Sequence, residues 1–417
     1  MKLLIISAWF PYPPINGAKI RTHNLVRQLS KFADIDLISL VQTLDSDQLA
    51  EGMHYLEGYC RSVQAVPAIP YHSRTPAIQK LLSSMTDVVR VTRNAELERR
   101  IAEAWHGGRY DAAIVTECGA PRIVTFTVVS QNIRPLVVDS VELGVSRPQG
   151  SLLSPRCLRK SLTWFKLRRF SSALLQQADV FTVASQQEYV LFRSIVPEDV
   201  PCVIVPNGVD LHHYEGVFGE RDRKSLIYCG SFSYSVNYDA VLWFARQVFG
   251  RIEMRESVKF RVTGRTAGRD LAPIQAACPQ VEFTGLVKHI RPYIAQSGIS
   301  VVPILAGGST RMKIPESMAL GTPVVSTSLG AEGLDVRHEE NILLADTPAD
   351  FARQIDRLIQ DDELWHHLSV QGRQLVENRY SVEKMGELFA ELFSRLLRQP
   401  VKSIAVASNA VTKTGAS

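Results

Sequence analysis

The chain has 417 residues, 45% of them hydrophobic and 21% charged, with a formal net charge of +5. At ~150 residues per domain this length suits two or three globular domains with large cores. So small a positive charge does not call for nucleic acid, and six scattered cysteines without a C-x-x-C pair argue against a structural metal site.

The chain opens with Met-Lys-Leu-Leu-Ile-Ile-Ser, then Phe10-Pro11-Tyr12-Pro13-Pro14. The apolar run is too short for a secretory signal and reads as a buried first strand. No stretch approaches the ~18 apolar residues of a membrane span. A cytoplasmic protein, soluble or peripheral to a membrane, is expected, with its cysteines reduced and buried.

Strands are expected at 3–7, 35–40, 112–116, 136–139, 180–184 and 203–205, separated by helical patterns such as 19–31 and 96–105. The pattern restarts after Val209. Strands are expected at 226–229, 259–263, 281–284, 300–303, 323–326 and 342–344, and helices near 239–249, 271–277, 314–320 and 348–360. Alternation of this kind indicates parallel sheets covered on both faces. The fold class is therefore α/β, with two doubly wound, Rossmann-like domains facing a cleft. The expected division is 1–206 for the first domain and 207–375 for the second. A helix over 376–398 is expected to return to the first domain, and 399–417 to form a disordered tail.

Ligands of such sheets bind at the carboxyl ends of the strands, so the run 302–326 carries the most information. There a strand ends, a loop Gly307-Gly308-Ser309-Thr310 follows, and a helix opens near Lys313. Glycines let backbone approach a ligand, and loop amides with a helix start suit an anion. Arg311 and Lys313 add positive charge, and Glu316 is placed to grip hydroxyls such as those of a ribose. A surface loop before an ordinary helix would explain the glycines alone. It would not explain the two cations and the carboxylate in one register.

This run resembles the motif G-G-G-T-R-x-K-I-x-E-A-M-A-x-G-x-P-V-V-S-T of the GT-B-fold glycosyltransferases of family 4, the "glycosyl transferases group 1" type. Val205-Pro206-Asn207-Gly208-Val209-Asp210 is similar to the family's interdomain segment. Gly230-Ser231-Phe232 with Asn237 and Tyr238, Thr284-Gly285-Leu286-Val287, Gly330-Ala331-Glu332-Gly333-Leu334 and 341–346 follow in the family's order. The first loop, 8–14 with Gly17 and Arg21, is similar as well. The resemblance is dense over 203–360 and sparse before it.

The resemblance implies a nucleotide-sugar donor as co-substrate, no other cofactor, no metal, and transfer with retention to an acceptor hydroxyl, in cell-surface polysaccharide or glycolipid synthesis. Glu316 would bind the ribose. Arg311 and Lys313, with backbone of Gly307, Gly308, Ser309 and Thr310, would hold the diphosphate. Gly17 would approach the phosphates from the other domain, Gly230, Ser231 and Asn237 would line the first donor loop, and Gly264 and Val287 would border the base. Three departures stand out. Gly308 replaces the first glutamate of the common Glu-x7-Glu pair. The usual cations after the first donor-domain strand are missing, with Asn237 near the expected lysine. No evident histidine marks a reaction centre. Catalytic candidates are Glu117, Asp139 and Glu142, which follow strands; a capping or loop role suits each equally well. Rival readings are a nucleotide-sugar epimerase, an inactive nucleotide-sugar-binding protein and, weakly for want of G-x-G-x-x-G, an oxidoreductase.

From Arg147 to Ala178 there are seven Lys or Arg and no Asp or Glu. Leu158, Leu162 and Phe165 recur at helical spacing with Trp164 beside them. This suits an anionic membrane surface, and an acceptor carried on a lipid, as well as it suits a helix with a core face and a wet basic face.

Overall fold

A computed structural model describes residues 1–42, 45–69, 94–117, 123–139, 155–307 and 311–398. The chain divides into two compact units, Met1–Thr182 with Phe192–Val203 and Met385–Ser417, and Val183–Leu191 with Ile204–Lys384.

The first sheet draws on β1 (Lys2–Ser7), β2 (Asp34–Val41), β3 (Ser62–Pro67), β4 (Ala112–Thr116), β5 (Leu136–Asp139), β6 (Val180–Val183) and β7 (Cys202–Ile204). Between them run α1 (Gly17–Leu29), α2 (Ser46–Glu57), α3 (Ala95–Gly108), α4 (Ile123–Ser130), α5 (Pro155–Leu175) and α6 (Gln186–Arg193). The strand order is β3-β2-β1-β4-β5-β6-β7. Leu3, Leu4, Ile5 and Ile6 of the central β1 are all fully buried, as expected for a strand covered on both faces. The sequence pattern misses β3. That strand pairs with β2 alone, is mostly half-buried and ends in Pro67, the chemistry of an edge rather than a core strand. It also misses α2, which buries only Gly52 and Leu56.

The second sheet holds β8 (Asp222–Cys229), β9 (Lys259–Thr263), β10 (Val281–Gly285), β11 (Ser297–Val302), β12 (Val324–Ser326) and β13 (Leu343–Leu344). Its helices are α7 (Ser235–Trp243), α8 (Ala272–Ala277), α9 (Arg291–Ala295), α10 (Lys313–Ala319), α11 (Pro348–Gln360) and α12 (Asp362–Leu375), and α13 (Val382–Leu397) is the last helix among the described residues. All pairings are parallel, in the order β10-β9-β8-β11-β12-β13. The order reverses between β8 and β11, so the loops that follow those two strands diverge. That divergence leaves the crevice where open α/β sheets take ligands. One continuous core of β-strand aliphatics and Phe232, Phe244, Phe249, Phe260 and Phe351 supports it.

Val209 pairs with Ser381, donating to the Tyr380 carbonyl at 2.6 Å and accepting from the Val382 amide at 3.0 Å. A side chain on Gly208 would lie 2.7 Å from the Val382 Cα, so the segment Asn207-Gly208 needs its glycine for this close approach. The four described cysteines are free thiols, three of them buried.

Candidate donor site in the second unit

Three loops meet at the carboxyl ends of β8, β9 and β10. The Gly230 amide donates to the Thr263 carbonyl, the Gly264 amide to the Gly285 carbonyl, each at 2.9 Å, and the Phe232 amide to the Arg265 carbonyl at 2.8 Å. Gly264 has φ +137°, and a Cβ there would lie 2.4 Å from the Gly230 carbonyl oxygen. Only glycine fits that position. Ser231 accepts from the Ser233 amide at 3.2 Å, turning the loop into α7.

From β11 the chain passes Gly307 (φ +91°) towards α10. Gly308, Ser309 and Thr310 lie outside the described residues. Lys313 starts α10 and reaches back across the sheet. Its amino group donates to the Tyr228 hydroxyl at 2.8 Å and to Asn237 Oδ1 at 3.2 Å, 4.1 Å from the centroid of the Tyr228 ring. A Cβ on Gly230 would lie 3.1 Å from that nitrogen. Arg311 donates weakly to the Ala306 carbonyl at 3.5 Å, and its buried Nε finds no partner among the described residues.

Burial dominates the electrostatics. It pushes the Lys313 ammonium down to about 7, against the help of Cys229 and Glu316, and Arg311 adds to the fall. It pushes the Glu316 carboxyl up to about 7, while the neighbouring Tyr214 hydroxyl and Lys313 pull it down. The Arg311 guanidinium is lowered for the same reason. Two basic groups and a carboxylate are thus half-buried together, and the Arg311 Nε has no partner among the described residues. Such groups gain most from a ligand that supplies the missing partners. An anion would suit Lys313 and Arg311, and vicinal hydroxyls would suit Glu316.

The far end of α10 is tied down by side chains. Arg221 donates to the carbonyls of Leu320 at 2.8 Å and Gly321 at 2.9 Å. Ser369 donates to the Gly321 carbonyl at 2.7 Å, and Arg373 to that of Ala319. Arg221 stacks on Trp365, its guanidinium 5.0 Å from a ring centroid.

Of the residues expected to bind donor, the structure brings together Gly230, Ser231, Asn237, Gly264, Gly307, Arg311, Lys313 and Glu316. Val287 follows β10 next to the exposed Leu286. Asn237 is tied into the site's own network. Its Oδ1 accepts from Tyr228 and Lys313, and its Nδ2 donates to the Ser231 carbonyl at 2.7 Å, so it supports Lys313 and the loop. Tyr228 escapes sequence reading altogether, because a buried aromatic in a strand looks like core.

Gly17, Asp139 and Glu117 belong to the first unit. Gly17 opens α1 behind the cap Asn16, with nothing near its Cβ position. Asp139 is fully buried in a two-pronged pair with Arg21, Nε to Oδ2 at 2.9 Å and Nη2 to Oδ1 at 2.7 Å, and also accepts from Thr182. Glu117 caps α4, accepting from the amides of Val124 at 3.0 Å and Thr125 at 2.8 Å. Both carboxylates therefore have oxygens engaged within the fold. Glu142 lies outside the described residues.

These two parallel, helix-covered sheets are the Rossmann-like pair of the GT-B fold. Anabaena HepE, solved with UDP, superposes with a TM-score of 0.65 at 17% identity over 95% of this chain and 100% of that one. Sucrose-phosphate synthase from Thermosynechococcus elongatus gives 0.66 at 17% identity over the same shares. A glycosyltransferase from Rickettsia africae gives 0.67 at 11%, over 95% and 98%. Within this fold, residues 223–361 of the second unit match the family model "Glycosyl transferases group 1". Bacillus subtilis (strain 168) YtcC, whose name assigns it provisionally to the glycosyltransferases, is 40% identical over 65 residues, 15% of this chain and 16% of its own length.

Proposed function

We propose that the protein is a glycosyltransferase that moves a sugar from a nucleotide donor, held by the second unit, onto an acceptor hydroxyl. The observation that carries this reading is the trio Lys313, Arg311 and Glu316, half-buried side by side at the switch point of the second sheet, with the Arg311 Nε lacking a partner among the described residues. The bond from the anomeric carbon to the diphosphate breaks with its electron pair on the phosphate oxygen. The acceptor oxygen bonds to that carbon, and its proton leaves with the diphosphate. Lys313 and Arg311 stabilise the charge that grows on the leaving group, which makes transfer independent of a divalent metal. Retention of configuration rests on the family resemblance. UDP is the first nucleotide to try, because HepE was solved with UDP and with UDP-glucose.

The reading extends to a lipid-borne acceptor in cell-surface polysaccharide or glycolipid synthesis, with the protein peripheral on the cytoplasmic face of a membrane. Its support is α5, where Phe165 is 56% exposed, Arg169 is exposed, and Arg168 lies 5.2 Å from the centroid of the Trp164 ring. No helix among the described residues is long and apolar enough to cross a membrane.

A panel of nucleotide sugars tested by calorimetry, followed by turnover with and without EDTA, tests the proposal. Saturable binding of one of them and EDTA-resistant transfer are expected, with the product anomer read by NMR. Failure to bind any of the panel overturns the donor site, and a strict need for Mg²⁺ or Mn²⁺ overturns the metal-free step.

A further inference from the structure

The Lys313 amino group does not stand free in the site. It sits in a socket made by two residues that sequence reading assigns to other work. The hydrogen bonds run in one direction. The Tyr228 hydroxyl donates to Asn237 Oδ1 at 2.7 Å, which leaves its oxygen to accept from Lys313. The Asn237 amide orientation follows from the network, since Nδ2 must face the Ser231 carbonyl for all the bonds to form.

An uncharged amine has two N–H groups, and Tyr228 and Asn237 accept two. Only the protonated form has a third N–H to offer a phosphate oxygen. Gly230 leaves space beside the nitrogen. We propose that Tyr228 and Asn237 are positioning residues which fix the Lys313 amine, so that a diphosphate binds together with the proton that completes the ammonium. This rests on the donor-site reading above. The groups that face the amine are Tyr228 and Cys229 from β8, Arg311 from the preceding loop and Glu316 one turn along α10. Burial holds the amine near 7 without a ligand, which places the proton uptake in an accessible range.

Titration calorimetry of the full chain with UDP, ADP and GDP at about pH 8, in buffers of differing ionisation enthalpy, reads affinity and protons together. At that pH Glu316 and the terminal phosphate are largely ionised and contribute little. Close to one proton is taken up per nucleotide bound, and none by Lys313→Met. Tyr228→Phe and Asn237→Leu each weaken binding about tenfold, the scale of a hydrogen bond to a charged group. In the Lys313→Met background each changes affinity less than about twofold, because residues acting through one group are not additive. Absence of proton uptake by the wild type, or equal losses in both backgrounds, overturns the inference and leaves the donor site standing. Absence of binding to all three nucleotides overturns both. If Tyr228→Phe does not fold by circular dichroism, the Asn237→Leu cycle decides.

Discussion

The two units treat charge at the ends of their strands in opposite ways. In the first, Asp139 and Glu117 are fully engaged, one by Arg21 and Thr182, the other by the opening amides of α4. In the second, Lys313, Arg311 and Glu316 are half-buried, the Arg311 Nε has no partner among the described residues, and desolvation moves both Lys313 and Glu316 to about 7. Saturated charge holds a fold together. Unsaturated charge weakens the fold and is kept where a ligand completes it.

Removing one partner of the saturated set should cost most in stability. Asp139→Ala removes the carboxylate that pairs with the buried Arg21 and should lower unfolding free energy by about 3–5 kcal/mol, read by urea denaturation. A loss below about 1 kcal/mol would make the pair dispensable. The unsaturated set should respond in reverse. Glu316→Ala should leave stability within about 1 kcal/mol of wild type or raise it, while weakening nucleotide-sugar binding tenfold or more. Unchanged affinity would remove Glu316 from the site.

The sharpest contrast is with pH. Lys313 is lowered, so its charge is lost as pH rises through about 7. Glu316 is raised, so its charge is lost as pH falls through about 7. Nucleotide-sugar affinity should therefore peak near neutrality and fall on both sides, and calorimetry between about pH 5.5 and 9 checks this. A flat profile would mean that neither group meets the ligand. The smallest effect belongs to α5. Gln at Arg159, Lys160 and Lys166 should reduce low-salt flotation with anionic vesicles and spare nucleotide binding, and raised salt should release the wild type, because charge interactions are screened beyond ~10 Å at 0.1 M salt. No flotation by the wild type at low salt would refute the membrane reading.

Most of the fold is legible in the sequence, because interior parallel strands are apolar on both faces and stand out as runs. The strands at 112–116, 136–139 and 259–263 coincide with β4, β5 and β9. The edge strand β3 lacks that signature. The candidate donor residues are legible through one register, Gly307 to Glu316. The carboxylates of the first unit are not, because an acid after a strand looks the same whether it caps a helix or meets a substrate. Glu117 acquires its role only when Val124 and Thr125 turn their amides towards it. Tyr228 is hidden for a related reason, since its ring is core while its hydroxyl and one ring face meet Lys313.

The clamp on the end of α10 bears on how this domain is cut out of the chain. The family model begins at residue 223 and ends at 361. Arg221 precedes that start, and Trp365, Ser369 and Arg373 lie beyond that end. A fragment trimmed to the recognisable motif would keep Lys313 and Glu316 yet lose every side chain that grips the carbonyls behind them. The physical domain is longer than the domain that sequence comparison recognises, and a fragment that keeps this clamp has to run from before Arg221 through α12.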